Sequence, residues 1–292
     1  FVNFWVTTTE PEILIPVGHE IASEQFRLPI EPLAVATHQA SGKTTISNDG
    51  DEVKVSSPRM QFVFNKKSGL VTSYKVNGTE YFAEGFGFQP NFWRAPNDND
   101  NGNMMQARYA QWKIASLYVT HKAVGQELFA VNPPKVVENE HSVSITFIYN
   151  MPTTPISQCV LTYELFGDGT VKTTLAYDPV KELGDMPEFG MMFKINADYD
   201  HVKWYGLGPA ETYADRKHGA KLGIYENLVE DNVAAYLVPQ ECGNKEGVRY
   251  AEVTDRKGRG LRFEMTEENG PMCFSALPFT QSKSLEYKSW EL

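Results

Sequence analysis

The sequence predicts an all-β chain that folds as a large antiparallel sandwich. Segments in which apolar and polar residues alternate recur from about residue 33 onward, and such alternation is typical of half-buried strands. Asn-Gly and Asp-Gly pairs between the alternating segments predict tight hairpins. The chain has 292 residues, of which 41% are hydrophobic, so it can bury a substantial core.

Two short strands are expected at the start of the chain, over 1–8 and 20–28, with prolines and a glycine in the connection between them. Two strands do not form a stable domain by themselves. We therefore interpret residues 1–30 as the end of a sandwich whose first strands precede this sequence. The segment 29–32, Pro-Ile-Glu-Pro, is the expected linker into a second domain over 31–292.

The second domain contains most of the alternating segments and the turns that separate them. The clearest alternation lies at 53–55, 62–64, 143–147, 161–165 and 261–265. Turns are predicted at 67–69, 77–78, 167–169 and 257–260. The one helix that the pattern indicates lies at about 103–116. Roughly a dozen strands or more with a single helix indicate a sandwich.

Composition argues against several classes of partner. The formal net charge is −10, whereas nucleic acids and anionic membranes bind basic surfaces. No apolar run approaches the ~20 residues that cross a bilayer. Cys159, Cys242 and Cys273 are widely spaced and form no Cys-x-x-Cys, so we expect buried thiols rather than disulfides. The sequence does not distinguish a cytoplasmic from a periplasmic location.

The most unusual stretch of the chain is Phe-Trp-Arg-Ala-Pro-Asn-Asp-Asn-Asp-Asn-Gly at 92–102. Asn and Asp side chains compete for backbone hydrogen bonds, so we expect an ordered loop rather than a helix or a strand. Arg94 is the expected loop anchor, because its five donors can hold a carboxylate and carbonyl groups together. Gly102 is the expected hinge, since glycine tolerates positive φ.

A calcium site of the EF-hand type fits this stretch poorly. A loop starting at Asn97 would place three asparagines at ligand positions, but the twelfth position, which needs a bidentate glutamate, is Arg108. A different oxygen cage around Asp98 and Asp100 is the alternative. The six histidines show no metal-binding spacing. We predict no metal site in this chain.

A second candidate site is the segment 204–216, Trp-Tyr-Gly-Leu-Gly-Pro-Ala-Glu-Thr-Tyr-Ala-Asp-Arg. Its glycines and proline force a sharp turn out of a strand. Trp204 and Tyr213 can supply stacking faces for a sugar, and Glu211 and Arg216 can supply polar groups for its hydroxyls. The same mixture is typical of a well-packed corner between strands, so both interpretations stay open.

Acidic residues are frequent in these segments, and glycoside hydrolysis needs two facing carboxyl groups, one protonated and one ionised. The acidic residues nevertheless lie close in sequence to Arg94, Arg216 or Lys245. A carboxylate beside a cation is held ionised, which suits a structural ion pair better than a general acid. We therefore assign no catalytic residue to this chain.

Four motifs, in this order, resemble the C-terminal region of the large bacterial β-galactosidases of glycoside hydrolase family 2. They are 18–26 (Gly-His-Glu-Ile-Ala-Ser-Glu-Gln-Phe), 92–102, 204–216 and 239–244 (Pro-Gln-Glu-Cys-Gly-Asn). The first is similar to the last strand of the immunoglobulin-like domain that precedes the C-terminal domain of that family. In the last motif, Cys242 replaces the usual asparagine.

The resemblance implies a fold and an activity. The fold would be the galactose-mutarotase-like supersandwich, preceded by the end of an immunoglobulin-like sandwich, and 287–292 would stop short of the family's final strands. The complete enzyme would hydrolyse terminal β-D-galactosides with retention, using two glutamates of an upstream (β/α)₈ barrel. This chain has no βα repeat, so it would shape and cover the active-site mouth.

The resemblance also implies a substrate-proximal loop. Its residues would be Asn97, Asp98, Asn99, Asp100, Gly102 and Asn103, with the mobile part beginning at Asn103. The partners would be a β-galactoside and the upstream barrel and immunoglobulin-like domains of the same chain. No cofactor is implied for this chain, whereas the complete enzyme would bind Mg²⁺ or Na⁺ elsewhere and would be a homo-oligomer.

Two other functions fit the same residues. A carbohydrate-binding module would hold a sugar on an aromatic face without hydrolysing it. A sugar epimerase of the mutarotase type would share the fold, but it needs an acid–base pair such as histidine with glutamate, and His19 is the only histidine in the four motifs. Galactose binding by the isolated chain would favour the module, and interconversion of anomers would favour the epimerase.

Overall fold

A computed structural model describes residues 1–30, 42–120, 133–266 and 269–279. The chain divides into two compact units, Phe1–Gln39 and Ala40–Leu292. The second half of the expected linker and the segment 287–292 lie outside the described residues, so the expectations about them stay predictions.

The first unit contains an antiparallel pair of strands. β1 (Val2–Thr7) pairs with β2 (Glu20–Phe26), with Val2 opposite Phe26 and a register shift between Val6 and Thr7. The two strands expected from the sequence are thereby confirmed, each two residues shorter than expected. Their origin in an immunoglobulin-like domain stays a prediction.

The second unit begins with a five-stranded antiparallel sheet whose neighbouring strands are consecutive in the chain. The strands are β3 (Thr45–Asp49), β4 (Glu52–Ser56), β5 (Met60–Asn65), β6 (Val71–Val76) and β7 (Thr79–Glu80). The turns predicted at 67–69 and 77–78 join β5 to β6 and β6 to β7. Gly69 and Gly78 have positive φ angles there, of 68° and 82°.

Helices and a second sheet follow. After β8 (Gln89–Asn91) come α1 (Asp98–Gly102), α2 (Met105–Arg108) and α3 (Ala110–Thr120). The second sheet contains β9 (Lys135–Glu138), β10 (Ser142–Met151), β11 (Ser157–Phe166) and β12 (Val171–Tyr177). Its spatial order is β12-β11-β10-β9, and all of its pairs are antiparallel. The hairpin predicted at 167–169 connects β11 to β12.

The remaining strands complete the second unit. They are β13 (Gly190–Met192), β14 (His201–Gly208), β15 (Lys221–Leu228), β16 (Lys245–Val248), β17 (Tyr250–Thr254), β18 (Gly260–Glu264) and β19 (Met272–Phe274). β13 pairs with β8, β16 pairs with β19, and the third larger sheet has the order β15-β14-β17-β18. Short 3₁₀ turns occur at Ala83–Gly85, Lys181–Leu183 and Val229–Asn232. The all-β antiparallel prediction is confirmed.

The described residues of the second unit form two hydrophobic cores. In the larger, Phe64 of β5 packs against Phe147 of β10 and Tyr163 of β11, with ring centroids 5.6 and 5.1 Å apart. Along β10, buried and partly buried positions alternate, as the sequence pattern predicts. The smaller core includes Val202 and Trp204 of β14. Because β14 leads directly into the corner at 204–216, this core supports the candidate site.

The expected loop at 92–102 is partly wrong, because α1 forms within it. The Asn97 side chain accepts a hydrogen bond from the Asp100 N–H at 2.8 Å, and the Asp100 carboxylate accepts one from the Asn97 N–H at 3.0 Å. This reciprocal capping box, with acidic groups at the positive end of the helix, outweighs the weak helix propensity of Asn and Asp. The helix predicted at about 103–116 is confirmed as α2 and α3, which extends to Thr120.

Candidate functional site

Three of the sequence motifs meet in the second unit. The Asp98 N–H of the 92–102 motif donates to Gln240 Oε1 at 3.3 Å. The Gly243 N–H, four residues from the start of the 239–244 motif, donates to Glu211 Oε2 at 2.7 Å. We call the region formed by 92–102, 204–216 and 239–244 the motif junction. Segments more than a hundred residues apart in the chain are thus brought together by hydrogen bonds.

Arg94 and Asp100 form an ion pair across the root of α1. Arg94 Nη2 donates to Asp100 Oδ1 at 3.0 Å, and Arg94 Nη1 contacts the second carboxylate oxygen. Burial alone would raise the pKa of Asp100, but hydrogen bonds from Arg94 and from the Asn97 N–H lower it below its ordinary value. Asp100 is therefore held ionised, with both oxygens engaged, and cannot act as a general acid at neutral pH.

Glu211 fastens the corner to the neighbouring segments. Its Oε1 accepts hydrogen bonds from the Tyr236 hydroxyl and from Arg216 Nη2, while its Oε2 accepts the bond from Gly243. The adjacent Thr212 N–H donates to the Asn244 carbonyl at 2.8 Å. These contacts occupy both oxygens of the carboxylate, so Glu211 has a structural role in the motif junction.

Glu241 has different surroundings from the other carboxyl groups. Burial, the largest cause, and the nearby Glu188 carboxylate raise the pKa of Glu241 to about 8, whereas Arg94 and the backbone of Ala95 oppose the shift. Glu241 therefore carries a proton at neutral pH. The expectation that the acidic residues of the motifs are all held ionised by neighbouring cations is wrong for this residue.

Lys245 is not the partner of Glu241 that its place in the sequence suggests. Its ammonium group lies 5.0 Å from the centroid of the Trp204 ring, in a cation–π contact, and only 4% of the residue is exposed. Sequence reasoning also missed Glu188, which precedes β13 and approaches the motif junction only in the folded chain. Nothing in the residues next to Glu188 marks it as a neighbour of Glu241.

The structure contradicts the expected sugar contact at Trp204. The residue is 1% exposed, its Nε1 donates to the Leu207 carbonyl at 3.0 Å, and its ring lies 5.5 Å from that of Tyr225. Trp204 shares the inner face of β14 with Val202, so it belongs to the smaller core. A ring enclosed in this way offers no face on which a sugar can stack.

Tyr213 and Arg216 lie at the outer side of the corner. The Arg216 guanidinium is 5.4 Å from the centroid of the Tyr213 ring, and the Arg216 side chain is 55% exposed. The Tyr213 hydroxyl is buried and has no hydrogen-bond partner among the described residues. A buried hydroxyl without a hydrogen-bond partner is costly.

The predicted substrate-proximal residues are spread over α1 and its ends. Asp98, Asn99, Gly102 and Asn103 are exposed, whereas Asn97 and Asp100 are partly buried by the capping box. The expected positive φ at Gly102 is wrong, because this residue is the last of α1. The left-handed residue is Met104, with φ of 56°, where the chain turns from α1 into α2.

Two further features bear on ligands and location. No group of three or more His, Cys, Asp or Glu side chains suited to a metal ion occurs within 1–30, 42–120, 133–266 and 269–279. Asp100, one of the residues considered for an oxygen cage, is engaged by Arg94. Over the same residues, no helix is long and apolar enough to cross a membrane.

Comparison with known proteins gives consistent matches. A family model described as the beta galactosidase small chain matches residues 56–290. The beta-galactosidase of Priestia megaterium is 34% identical over 275 residues, which are 94% of this chain and 24% of that protein. The beta-galactosidase of Halalkalibacterium halodurans is 30% identical over 96% of this chain and 26% of its own length. The beta-galactosidase small subunit of Latilactobacillus sakei is 26% identical over 76% of this chain and 74% of its own length.

These matches cover the motif junction as well as the sheets that support it. This chain spans about a quarter of the length of the first two relatives. The family match extends over all three motifs of the motif junction, from before 92–102 to beyond 239–244. The chain belongs to the beta-galactosidase small chain family.

Proposed function

We propose that this chain forms the C-terminal part of a β-galactosidase that hydrolyses terminal β-D-galactosides with retention of configuration. In that enzyme the motif junction shapes and covers the mouth of the active site. The catalytic acid and the nucleophile come from a barrel domain that precedes this chain. The observation that carries the proposal is that the Asp100 and Glu211 carboxyl groups of the motif junction are bound by structural partners, in a chain whose relatives are beta-galactosidases.

Retaining hydrolysis needs a protonated and an ionised carboxyl group about 5–5.5 Å apart, on either side of the glycosidic bond. Asp100 is ionised but bound on both oxygens by Arg94, and Glu211 is bound by three donors. Glu241 holds a proton but is only 9% exposed. None of these three carboxyl groups is placed to attack an anomeric carbon. This favours a structural role for them over a catalytic one.

The exposed polar groups of the motif junction suit contact with a sugar. Asp98, Asn99 and Asn103 are exposed on α1 and just after it, and their amide and carboxylate groups match the hydrogen-bonding needs of sugar hydroxyls. Arg216 adds an exposed cation at the corner. These residues are the proposed substrate-proximal set, with Arg94 as the anchor that fixes them.

The proposal extends to the needs of the complete enzyme. It binds Mg²⁺ or Na⁺ at residues outside this chain and assembles as a homo-oligomer through surfaces that include its other domains. Removing divalent ions with a chelator is then expected to lower activity while leaving the thermal unfolding of the isolated chain unchanged. A chelator effect on the unfolding of the chain itself would place a metal within it.

The test compares the complete protein with the chain alone. The complete protein is expected to cleave a chromogenic β-galactoside, and proton NMR of the first-formed sugar is expected to show the β-anomer. The isolated chain is expected to show no hydrolysis. Activity in the isolated chain that disappears on changing Asp98, Asp100, Glu211 or Glu241 would contradict the proposal.

A further inference from the structure

We propose that Tyr236 is a positioning residue that fixes the segment 236–243 and acts on α1 through the side chain of Gln240. The segment contains neither helix nor strand, so individual hydrogen bonds decide where it lies. The consequence for turnover rests on the proposed function, whereas the consequence for the structure of α1 does not. Tyr236 would act on the reaction only through α1, which presents the proposed substrate-proximal residues.

The Tyr236 hydroxyl joins the start of the segment 236–243 to the corner at 204–216. It donates a hydrogen bond to Glu211 Oε1 and accepts one from Arg216 Nη2 at 3.0 Å. The Glu211 side chain is only 13% exposed, and hydrogen bonds to a carboxylate are stronger than those between neutral groups. The hydroxyl therefore holds this end of the segment in place.

Glu211 also holds the other end of the segment. Its Oε2 accepts a hydrogen bond from the Gly243 N–H at 2.7 Å, so one carboxyl group binds both Tyr236 and Gly243. The two ends of 236–243 are thus fastened to the same side chain. Removing the Tyr236 hydroxyl releases one end of this loop and leaves the bond at Gly243 in place.

Gln240 lies between these two ends and contacts the start of α1. Its Oε1 accepts a hydrogen bond from the Asp98 N–H at 3.3 Å, although the two residues are 142 positions apart in the sequence. The first N–H groups of a helix have no partner within the helix. In α1, the Asn97 side chain satisfies the N–H of Asp100, and Gln240 satisfies that of Asp98. The position of 236–243 therefore decides whether Asp98 keeps its partner.

Packing contributes little to the position of the first residues of the segment. Leu237 is 99% exposed and Val238 is 54% exposed. Their side chains have little apolar contact that could replace a lost hydrogen bond. Loss of the Tyr236 hydroxyl is therefore expected to loosen the segment locally, without unfolding the sheets.

Amide hydrogen exchange of the complete protein tests the positioning role without relying on activity. Tyr236→Phe removes the hydroxyl and keeps the ring. The matched control is Tyr74→Phe, which removes a hydroxyl that donates to the Gly169 carbonyl at 2.6 Å in another part of the second unit. In Tyr236→Phe, the amides of 98–101 and 236–243 are expected to exchange about fivefold faster than in the wild type. In the control, they are expected to stay within about twofold of the wild type.

Amides of β10 and β11 serve as the internal reference for global unfolding. Unchanged exchange of both segments in Tyr236→Phe would overturn the proposal. Faster exchange of 236–243 without any change in 98–101 would also overturn it, because Tyr236 would then not act on α1. Equal acceleration of 98–101 in Tyr74→Phe would do the same, because the effect would be a general loss of stability.

A double-mutant cycle tests the route through Gln240. Gln240→Ala removes the acceptor of the Asp98 N–H and is expected to accelerate the exchange of 98–101 about fivefold by itself. Adding Tyr236→Phe to Gln240→Ala should then accelerate 98–101 no further, whereas effects that multiply would contradict this route. If Tyr236→Phe fails to fold, Gln240→Ala alone decides, and unchanged exchange of 98–101 in that variant would overturn the proposal.

Kinetics of the complete enzyme give the functional readout. Tyr236→Phe and Gln240→Ala are each expected to raise the KM for an aryl β-galactoside about threefold and to leave kcat within about twofold, whereas Tyr74→Phe should change neither. Faster exchange of 98–101 without any change in KM would overturn the role in substrate positioning. An enzyme that hydrolyses no β-galactoside would refute the proposed function, and the exchange experiment would still decide whether Tyr236 positions α1.

Discussion

At the scale of single residues, the ion pair between Arg94 and Asp100 connects the segment before α1 with the capping box at the start of the helix. The side chains are 26% and 15% exposed, respectively, so solvent weakens the pair relative to a fully buried one. Arg94→Ala is expected to lower the free energy of unfolding by about 2 kcal/mol. Arg94→Lys is expected to recover only part of this, because an ammonium group cannot bond both carboxylate oxygens in a fork.

Urea denaturation of the wild type, Arg94→Ala and Arg94→Lys measures these changes in the free energy of unfolding. The double variant Arg94→Ala with Asp100→Ala should be less destabilised than the sum of its single changes, since each single change leaves one charge without its partner. Equal stability of wild type and Arg94→Ala would show that Arg94 does not anchor this segment.

The second residue-scale prediction concerns pH. In the unfolded chain Glu241 ionises near its ordinary pKa of 4.5, whereas in the fold its pKa is about 8. The unfolded state therefore releases this proton first as the pH rises. The free energy of unfolding is expected to fall between these two pH values, by up to about 1.4 kcal/mol per pH unit from this group alone.

Glu241→Gln should remove that slope, because the amide does not titrate. The measurement is the free energy of unfolding of wild type and variant from pH 5 to pH 8.5, with Glu226→Gln as a control that keeps Glu241. Relative to Glu241→Gln, the wild type is expected to lose stability steadily over this range. Parallel curves for the two proteins would show that Glu241 ionises normally in the fold.

At the scale of elements, α1 explains why Gly102 is not the hinge of the stretch that we propose to be substrate-proximal. Gly102 is helical, and an added Cβ would meet no atom within 4 Å. Gly102→Ala is expected to raise the free energy of unfolding by about 0.5 kcal/mol. Met104 has a φ of 56°. Met104→Gly is therefore expected to raise the free energy of unfolding by about 1 kcal/mol, because it relieves backbone strain.

Thermal unfolding of the two variants tests the assignment of the turn. Both changes should raise the midpoint, and neither should alter the exchange of amides in β10 and β11. A Gly102→Ala protein that is clearly less stable than the wild type would show that residue 102 needs positive φ, as the sequence alone suggests.

The elements also show where sequence reasoning succeeds and where it stops. The strands at 143–147 and 161–165 follow from alternation, because one face of each must be buried in a sandwich. The same rule identifies Trp204 as a core residue, since it shares a face of β14 with Val202 while Lys203 and Tyr205 point the other way. Treating Trp204 as a sugar contact ignored this alternation.

Other features need the folded chain. Helix α1 forms because Asn97 and Asp100 cap each other, a local signal that the weak helix propensity of the neighbouring Asn and Asp residues conceals. The proton on Glu241 depends on burial and on Glu188, which is over fifty residues away in the sequence. No pattern within either segment reports that proximity, so the charge state of the motif junction could not be predicted.

At the scale of the whole molecule, the motif junction lies in the second unit, whose described residues form three large antiparallel sheets and two cores. The Asp100 and Glu211 carboxyl groups there are bound by Arg94, Arg216, Tyr236 and backbone N–H groups. The chain therefore supplies an organised polar surface rather than an acid and a nucleophile. In the complete enzyme, the chemistry is proposed to lie outside this chain.

The most direct measurement is to trap the glycosyl-enzyme of the complete protein with a 2-deoxy-2-fluoro-galactoside that carries a good leaving group, and to locate the labelled peptide by mass spectrometry. A retaining mechanism with an external nucleophile is expected to label one glutamate outside residues 1–292 of this chain. A label on Asp98, Asp100, Glu211 or Glu241 would contradict the account, because it would place the nucleophile in the motif junction itself.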